Sequence, residues 1–456
     1  MNAGTMNAHA MSRNFRAQVP DAIDTCLLFG FLIGIYLEIA VQLTASIPVP
    51  NIIAACTGIA LLCRHPDWVE EKHVIALSVV ILLFLVSIFC ATDYGFLKKR
   101  FTGFLQLSYS LVLSYGFFIT AIRYQRERLA RLFLFFCIFI LVGTTLENYT
   151  SFRAVSDFAR SYLYDFGLYI SDERDELLYG RVRPKLFTSE PSAVTFGFAL
   201  YSMAWYLLSK WKWKLPAFLL MTAMGYFLMR GPTLLLGLVL VGPAEFMSGA
   251  PKADGKRQSQ VTKLAAMGAV SVLLGGIAVW AATSLYATRL NDILTGSDPS
   301  FFYREIGPAL AAFDIFHTHP IAGIGLTGED SLGDRMLSIF LAFPGFSPDW
   351  PVESNAHVLN NYFWLHWVYL GIVWGIVMLI AISWYLRVLG TPSILLCWLV
   401  WAVFGQASGA YVSPKTWAVL MLACALSVLR ERQPMVKART AGLDRSGRPV
   451  SAGAYA

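Results

Sequence analysis

Four polar residues, each from a separate segment of the chain, are of types that carry chemistry. Arg230 and Arg304 have planar guanidinium groups, which bind phosphate oxygens through paired hydrogen bonds. Glu190 supplies a carboxylate, and His357 supplies an imidazole, whose ordinary pKa suits proton transfer near neutral pH. Cations that neutralise a leaving diphosphate, with a base beside an acceptor hydroxyl, suit group transfer from a lipid diphosphate without a metal ion.

Each of these residues also has a purely structural interpretation. The long side chains of Arg230 and Arg304 could reach lipid headgroups, and Glu305 is a neighbouring ion-pair partner for Arg304. A single histidine at the mouth of an apolar helix, such as His357, is commonly structural. A carboxylate that enters an apolar helix, as Glu190 does, needs a cationic partner.

Three cations precede Glu190 by five to nine residues: Arg181, Arg183 and Lys185. Any of them could pair with the carboxylate and anchor the start of the following helix. In the functional interpretation, Glu190 is a base or a ligand of the acceptor sugar. Pro191 suits the first turn of a helix, so the sequence predicts that Glu190 stands at a helix start.

The composition places these residues in a membrane protein. The chain has 456 residues, of which 56% are hydrophobic and 14% charged, against about 45–50% and about 25% in soluble domains. The net charge of +7 is more typical of a basic cytoplasmic rim than of a nucleic-acid surface, so we expect no nucleic-acid partner. The seven cysteines have neither disulfide nor metal-site spacing, and we expect no metal and no cofactor.

Twelve apolar segments approach the ~20 residues needed to cross a bilayer. They lie near 22–42, 45–63, 73–92, 101–121, 129–147, 186–208, 215–229, 232–248, 264–286, 357–381, 391–409 and 412–429. The sequence therefore predicts an all-α, polytopic transmembrane bundle over 22–432. It also predicts a cytoplasmic segment over 1–21 and a disordered cytoplasmic tail over 433–456.

Two long polar loops, 148–185 and 287–356, separate some of these segments. The short loops 123–131 and 210–214 are basic and predict the cytoplasmic side, although 98–100 is a basic exception on the other side. Both termini would then be cytoplasmic, and both long loops would face outward from a bacterial inner membrane.

The second long loop contains a short helix with one apolar face. Its apolar residues recur at 302, 306, 310, 313 and 316, which predicts a helix lying along the membrane surface. It ends at the turn His319–Gly325, where two glycines permit a sharp change of direction.

Residues 183–375 resemble the integral-membrane O-antigen polymerase and O-antigen ligase superfamily. The resemblance rests on Phe187-Thr-Ser-Glu-Pro-Ser192, Arg230-Gly, Arg304 ahead of Pro320-Ile-Ala-Gly-Ile-Gly325, and His357 to Gly371 at the start of the next span. It implies a metal-independent glycosyltransferase with many spans and an external catalytic loop. The implied donor is an undecaprenyl-diphosphate-linked glycan.

The family's external arginines and histidine correspond here to Arg230, Arg304 and His357, and the other expected site residues follow from their chemistry and their place at the predicted outer face. His357 and Glu190 are the expected catalytic residues. The expected substrate-binding residues are Arg183, Arg230, Arg304, Asn360 and Asn361.

The stretch Ser189-Glu-Pro-Ser192 is more similar to polymerases of O-antigen or exopolysaccharide than to ligases. We therefore expect a polymerase of lipid-linked repeat units, in contact with membrane lipid and with a partner that regulates chain length. The alternatives are a ligase that transfers glycan to lipid A-core and a flippase for lipid-linked glycan. A flippase should show internal repeats and charged residues in mid-span cavities, whereas here the charges crowd the loops.

Overall fold

The computed structural model describes most of the chain. The described residues are 20–44, 47–91, 93–164, 168–169, 172–247, 275–276, 279–280, 283–284, 291, 295, 298–343, 346–347 and 358–441. His357, most of the predicted span 264–286 and the end of the predicted tail therefore lie outside the described residues.

Helices make up most of the described residues. They are α1 (Ala22–Leu37), α2 (Ile52–Arg64), α3 (Glu71–Cys90), α4 (Leu97–Ala121), α5 (Arg126–Tyr149), α6 (Phe152–Leu163), α7 (Asp172–Tyr179), α8 (Pro191–Leu208), α9 (Lys214–Met229), α10 (Thr233–Met247), α11 (Gly307–Thr318), α12 (Arg335–Leu341), α13 (Tyr362–Val388), α14 (Ile394–Gly405) and α15 (Pro414–Ala441). The only strands among the described residues are β1 (Val41–Thr44) and β2 (Ile47–Val49), an antiparallel pair. The predicted all-α class is confirmed.

Four described helices are long and apolar enough to cross a membrane, namely α3, α4 with its preceding turn, α5 and α13. Others, including α1, α2, α9, α10 and α14, are apolar but shorter. The chain thus has the helices of a membrane protein, while the count of twelve spans stays a prediction. Some element bounds differ from the predicted spans: residues 47–49 of the span 45–63 form β2, and α15 continues to Ala441, beyond residue 432.

Two helices form the centre of the bundle. Every residue of α8 except Ser192 is buried, and so is α15 from Pro414 to Leu429. α8 packs against α1, α5, α9, α10 and α15, while α15 also packs against α4 and α14. Within these buried ranges both helices are mainly apolar on all sides, which is the pattern of a helix enclosed by others.

The buried helix α8 separates two groups of charged residues. Glu190 stands at its start, and at its far end Arg126 donates hydrogen bonds to the last two carbonyls of the helix. Near that far end, Glu245 accepts from Lys214 and, at 2.6 Å, from Arg430. Since 18 residues of α-helix span about 27 Å, the two groups are about one hydrocarbon thickness apart.

This separation makes the sidedness testable. Alkaline phosphatase fused at Ser331, in the loop that belongs to the Glu190 end, should be active because that end is predicted to lie outside. A fusion at Gly255, in the basic loop 249–263, should be inactive. Enzyme activity normalised to fusion-protein level measures both. The reverse pattern would invert the orientation.

The predicted span 357–381 is sharply bent. Gly371 lies inside α13 with φ 65° and ψ −171°, which is not helical. His366 Nε2 lies 3.1 Å from the carbonyl oxygen of Gly375, nine residues later, whereas nine residues of straight helix would cover about 13 Å. The segment 362–370 therefore bends back toward the start of 372–388 and does not continue it as a straight helix.

The turn Pro320–Gly325, which precedes α12, supplies hydrogen-bond partners for the backbone groups at this break. Carbonyls just before Gly371 accept hydrogen bonds from the turn, and N–H groups just after it donate to the turn. The bonds are Ile324 N to Val368 O (3.1 Å), Gly325 N to Tyr369 O (2.9 Å), Ile372 N to Pro320 O (2.8 Å), Val373 N to Pro320 O (3.1 Å) and Trp374 N to Ile321 O (3.0 Å). A helix interrupted within a membrane protein needs such partners, so this motif has a structural role.

Candidate functional site

A cavity of about 200 Å³ opens where the N-terminal ends of α8 and α10 meet the helical turn that carries Arg304. Its lining is mostly polar and cationic. The lining residues are Tyr169, Arg174, Tyr179, Arg183, Glu190, Pro191, Ser192, Thr195, Gly231, Pro232, Thr233, Ser300 and Arg304. Three predicted site residues thus meet in one place: Arg183 and Glu190 come from one loop, and Arg304 comes from a distant segment of the chain.

Glu190 is the N-cap residue of α8, with an extended backbone, and Pro191 follows it in the first turn as the sequence predicted. Its carboxylate accepts a hydrogen bond from the Ser192 hydroxyl, and its Oε2 lies 3.9 Å from Nη2 of Arg304. Desolvation raises the pKa of the Glu190 carboxyl, but the charge of Arg304 and the hydrogen bond from Ser192 outweigh it and hold the pKa below its ordinary value. The group is therefore a carboxylate at neutral pH.

Arg304 lies in a π-helical turn, Phe302–Ile306, that leads into α11. Such turns are rare and concentrate at functional sites. The turn is held by its backbone, because the Arg304 carbonyl accepts a hydrogen bond of 2.7 Å from Asn361 and the Tyr303 carbonyl accepts one of 3.2 Å from the N–H of Asn360. The start of α13 therefore fixes the position from which the Arg304 guanidinium reaches the cavity.

In this conformation the side chain of Asn361 is bound to the protein, and its predicted contact with a substrate stays a prediction. Its Oδ1 accepts hydrogen bonds from the N–H groups of Phe363 and Trp364, at 3.1 and 3.2 Å. Its Nδ2 donates to the Arg304 carbonyl and, at 2.9 Å, to Gln406. A side-chain amide has two donors and two acceptor positions, and in this conformation those of the buried Asn361 are all bound to the protein.

Arg183 lies on the cavity wall and is held rigidly. Its Nε and Nη2 lie 2.9 and 2.8 Å from Oδ1 of the fully buried Asp175, and its guanidinium carbon lies 4.2 Å from the ring centre of Tyr179. Arg174, which directly precedes Asp175 on α7, is exposed and has no ion-pair partner among the described residues. The wall therefore combines one neutralised arginine with two cations, Arg174 and Arg304, whose charge is less fully compensated.

Arg230 does not line the cavity, although Gly231, Pro232 and Thr233 directly after it do. Its backbone has φ 47°, and its guanidinium donates to the carbonyl of Tyr179, at the end of α7. A Cβ on Gly231 would lie 2.2 Å from the Thr195 methyl group, so the glycine allows the start of α10 to approach α8. In this conformation Arg230 anchors α7, and its predicted contact with a diphosphate stays a prediction.

The loop that delivers Glu190 to the cavity is held by a residue that the sequence analysis missed. Glu147, buried at the end of α5, accepts hydrogen bonds from the N–H groups of Lys185 and Leu186, at 3.0 and 2.7 Å. Leu186 and Phe187 both have positive φ, an unusual conformation for such side chains. Glu147 could have been singled out from the sequence, because a carboxylate within an apolar helix needs hydrogen-bond or ion-pair partners.

An ion pair that the sequence did not predict lies on the other side of Glu190. Lys415, at the start of α15, donates to Glu38 at 2.5 Å, and its ammonium group lies 4.0 Å from the ring centre of Phe196 on α8. Its charge adds to the lowering of the Glu190 pKa. Glu38 has no obvious partner in the sequence because Lys415 is 377 residues away.

Glu305 follows Arg304 in the π-helical turn but is not among the cavity-lining residues. Desolvation raises the pKa of its carboxyl to about 7, against a smaller opposing effect of Arg304. Among the described residues it makes no hydrogen bond through its carboxyl group. A carboxyl group with this pKa can both donate and accept a proton near neutral pH.

The electrostatics of the cavity favour an anion. The N-termini of α8 and α10 both face it, and a helix N-terminus presents free N–H groups and a partial positive charge. Arg174, Arg183 and Arg304 add full charges, against the carboxylates of Glu190 and Asp175. Hydroxyl groups of serine, threonine and tyrosine side chains complete a lining suited to phosphate oxygens and sugar hydroxyls.

His357 lies outside the described residues, so its distance from Glu190 and Arg304 is not part of this geometry. The described residues contain no cluster of three or more histidine, cysteine, aspartate or glutamate side chains that could hold a metal ion. In comparisons with known proteins, no family model, no curated protein and no solved structure matches this chain.

Proposed function

We propose that the protein polymerises undecaprenyl-diphosphate-linked oligosaccharide repeat units, of an O-antigen or exopolysaccharide, at the outer face of a bacterial inner membrane. The observation that carries the proposal is the convergence of Arg304 and Arg183 with Glu190 in a cationic cavity between two helix N-termini. This cavity lies at one end of a bundle of apolar helices, where the diphosphate of a membrane-embedded carrier would stand.

In the proposed reaction, a hydroxyl oxygen of the acceptor glycan attacks the anomeric carbon of the donor. The bond from that carbon to the diphosphate oxygen breaks, and the prenyl diphosphate leaves with the bonding electron pair. Arg304, assisted by Arg174 and the two helix N-termini, stabilises the charge that develops on the leaving group. The proton of the acceptor hydroxyl passes to a base of the protein.

Three residues are candidates for that base. Glu190 lies in the cavity, but its lowered pKa makes it a weak base and favours a role in orienting the acceptor hydroxyl. Glu305 has the better matched pKa, about 7, but it does not line the cavity, so its position makes it the weaker candidate. His357 keeps the role that the resemblance implies.

The two alternatives differ from the polymerase in what they predict. A ligase would use the same donor and the same cavity, and the resemblance of Ser189–Ser192 favours a polymerase over it. A flippase would need charged groups along a path through the bundle. The charged residues beside α8 instead gather at its two ends, which disfavours a charged path along this helix.

Purified protein in liposomes, supplied only with lipid-linked repeat units, should convert them to a ladder of longer lipid-linked chains on a gel. A strain that lacks the protein should accumulate or export single repeat units and lack long chains. If the strain instead accumulates long lipid-linked polymer that never reaches lipid A, the ligase alternative is correct. Movement of intact units across the liposome membrane without elongation would favour the flippase.

A further inference from the structure

Helix α6 has its polar and apolar faces reversed with respect to a helix on a water-soluble domain. Its exposed face consists mainly of Val155, Phe158 and Tyr162, whose side chains are 55%, 66% and 74% exposed. These residues are three and four positions apart and so form one stripe along the helix. Three large apolar side chains in one stripe are poorly suited to water and well suited to lipid.

The opposite face of α6 points into the protein and carries two polar side chains after Phe152, which packs against Phe187. Ser156 and Arg160 are both buried there. The Ser156 hydroxyl accepts a hydrogen bond of 3.1 Å from the N–H of Phe187. The Arg160 guanidinium donates to the carbonyl of Thr188 at 2.6 Å and to that of Ser189 at 2.9 Å. This face therefore holds the three residues that directly precede Glu190.

The place of α6 in the chain fixes its level relative to the membrane. α5 is one of the helices suited to cross the bilayer, and it ends at Tyr149, only two residues before α6 begins. α6 therefore starts at the depth where a membrane-crossing helix leaves the hydrocarbon. A helix at this level with an outward apolar stripe lies in the lipid interface.

We propose that α6 is an interfacial helix that binds the lipid surface through the stripe Val155–Phe158–Tyr162 and thereby sets the height of the Glu190 loop above the bilayer. The lipid supports the outer face of α6, and Arg160 and Ser156 transmit its position to the loop. The cavity is in this way kept at the level of lipid headgroups, where a carrier diphosphate would enter it. The lipid contact stands independently of the proposed function, whereas the effect on turnover rests on it.

The lipid contact is tested by photo-crosslinking. Benzoylphenylalanine placed at Phe158 or Tyr162 in proteoliposomes should crosslink to radiolabelled phospholipid acyl chains. The matched position is Glu173 on α7, which is also exposed but polar, and it should give little lipid adduct. In native membranes, a protein adduct at Phe158 in place of a lipid adduct would show that the stripe is a protein-binding surface and would overturn the proposal.

The effect on the site is tested by substitution in the same proteoliposomes. Phe158→Asp should lower turnover by about 10- to 100-fold, since small displacements of reacting groups have effects of this size. Phe158→Leu should keep turnover near the wild-type value. Leu177→Asp, at an 83% exposed position on α7, should also leave it unchanged. The amount of folded protein is measured by size-exclusion chromatography for every variant.

The outcomes separate the two proposals. Lipid adducts with unchanged turnover in a folded Phe158→Asp protein would disprove the coupling to the site. An absence of lipid adducts at both positions would disprove the interfacial helix. If the wild-type protein elongates no glycan while the lipid adducts form, the proposed function fails and the interfacial helix stands.

Discussion

Replacing Arg304 by lysine should abolish most polymerisation and do so nearly as completely as replacing it by alanine. Loss of one preorganised donor to a developing oxyanion typically costs 10²–10³-fold in rate, and a lysine ammonium lacks the planar pair of donors that a diphosphate engages. The measurement is turnover of lipid-linked repeat units in proteoliposomes at equal protein level. We expect a loss of at least about 10²-fold for both variants.

The control for this experiment lies in the same segment of the chain. Arg335 on α12 forms two hydrogen bonds of 2.9 Å with Asp314 and lies away from the cavity. Arg335→Lys should therefore keep nearly full turnover. Wild-type polymer lengths and rates from Arg304→Lys would reduce Arg304 to a charge that reaches lipid headgroups, and the proposed function would lose its main support.

Replacing Gly371 by alanine should prevent the protein from folding. A Cβ at this position would lie 2.7 Å from the Gly323 nitrogen and the His319 carbonyl oxygen, and 2.8 Å from that of Pro320. These are backbone atoms that cannot rotate away. In addition, φ 65° with ψ −171° belongs to a region that only glycine enters without strain, so the total cost should be at least about 3 kcal/mol.

The amount of monodisperse protein extracted in mild detergent measures this effect. Gly390→Ala is the matched control, because Gly390 also has positive φ, 79°, but a Cβ there would meet no atom within 4 Å. It should cost only about 1–2 kcal/mol and yield folded protein. Normal amounts of folded Gly371→Ala protein would show that the break in α13 is not closed by the turn Pro320–Gly325.

The helices could largely be predicted from the sequence because apolar length is a local property. The break in α13 could not, since 362–388 is a continuous apolar segment and Gly371 becomes necessary only when the backbone of Pro320–Gly325 packs against it. α2 begins at Ile52, whereas the predicted span began at residue 45. Part of the cause is local, since Pro48 and Pro50 lack the N–H groups that a helix would use.

The candidate site was predictable in its residue types and less so in its contacts. Glu190, Arg183 and Arg304 were identified because a charged group beside an apolar helix requires an ion-pair partner, a ligand or water. The partners of Asn361 and Arg230 are backbone carbonyls, at Arg304 and Tyr179, and no sequence pattern marks a carbonyl as a partner. For this reason the sequence did not indicate that Asn361 holds the backbone of Arg304 in place.

The hydrogen bonds between Pro320–Gly325 and the interrupted helix α13 have a consequence for biosynthesis. Pro320–Gly325 leave the ribosome before Gly371, so the groups that satisfy the interrupted helix already exist when that helix emerges. The insertion machinery therefore does not have to shelter unpaired peptide groups until a later segment is translated. A ribosome-bound nascent chain just long enough for Val388 to have left the exit tunnel should already contain the bend, while the central helix α15 is still being made and lies inside the tunnel.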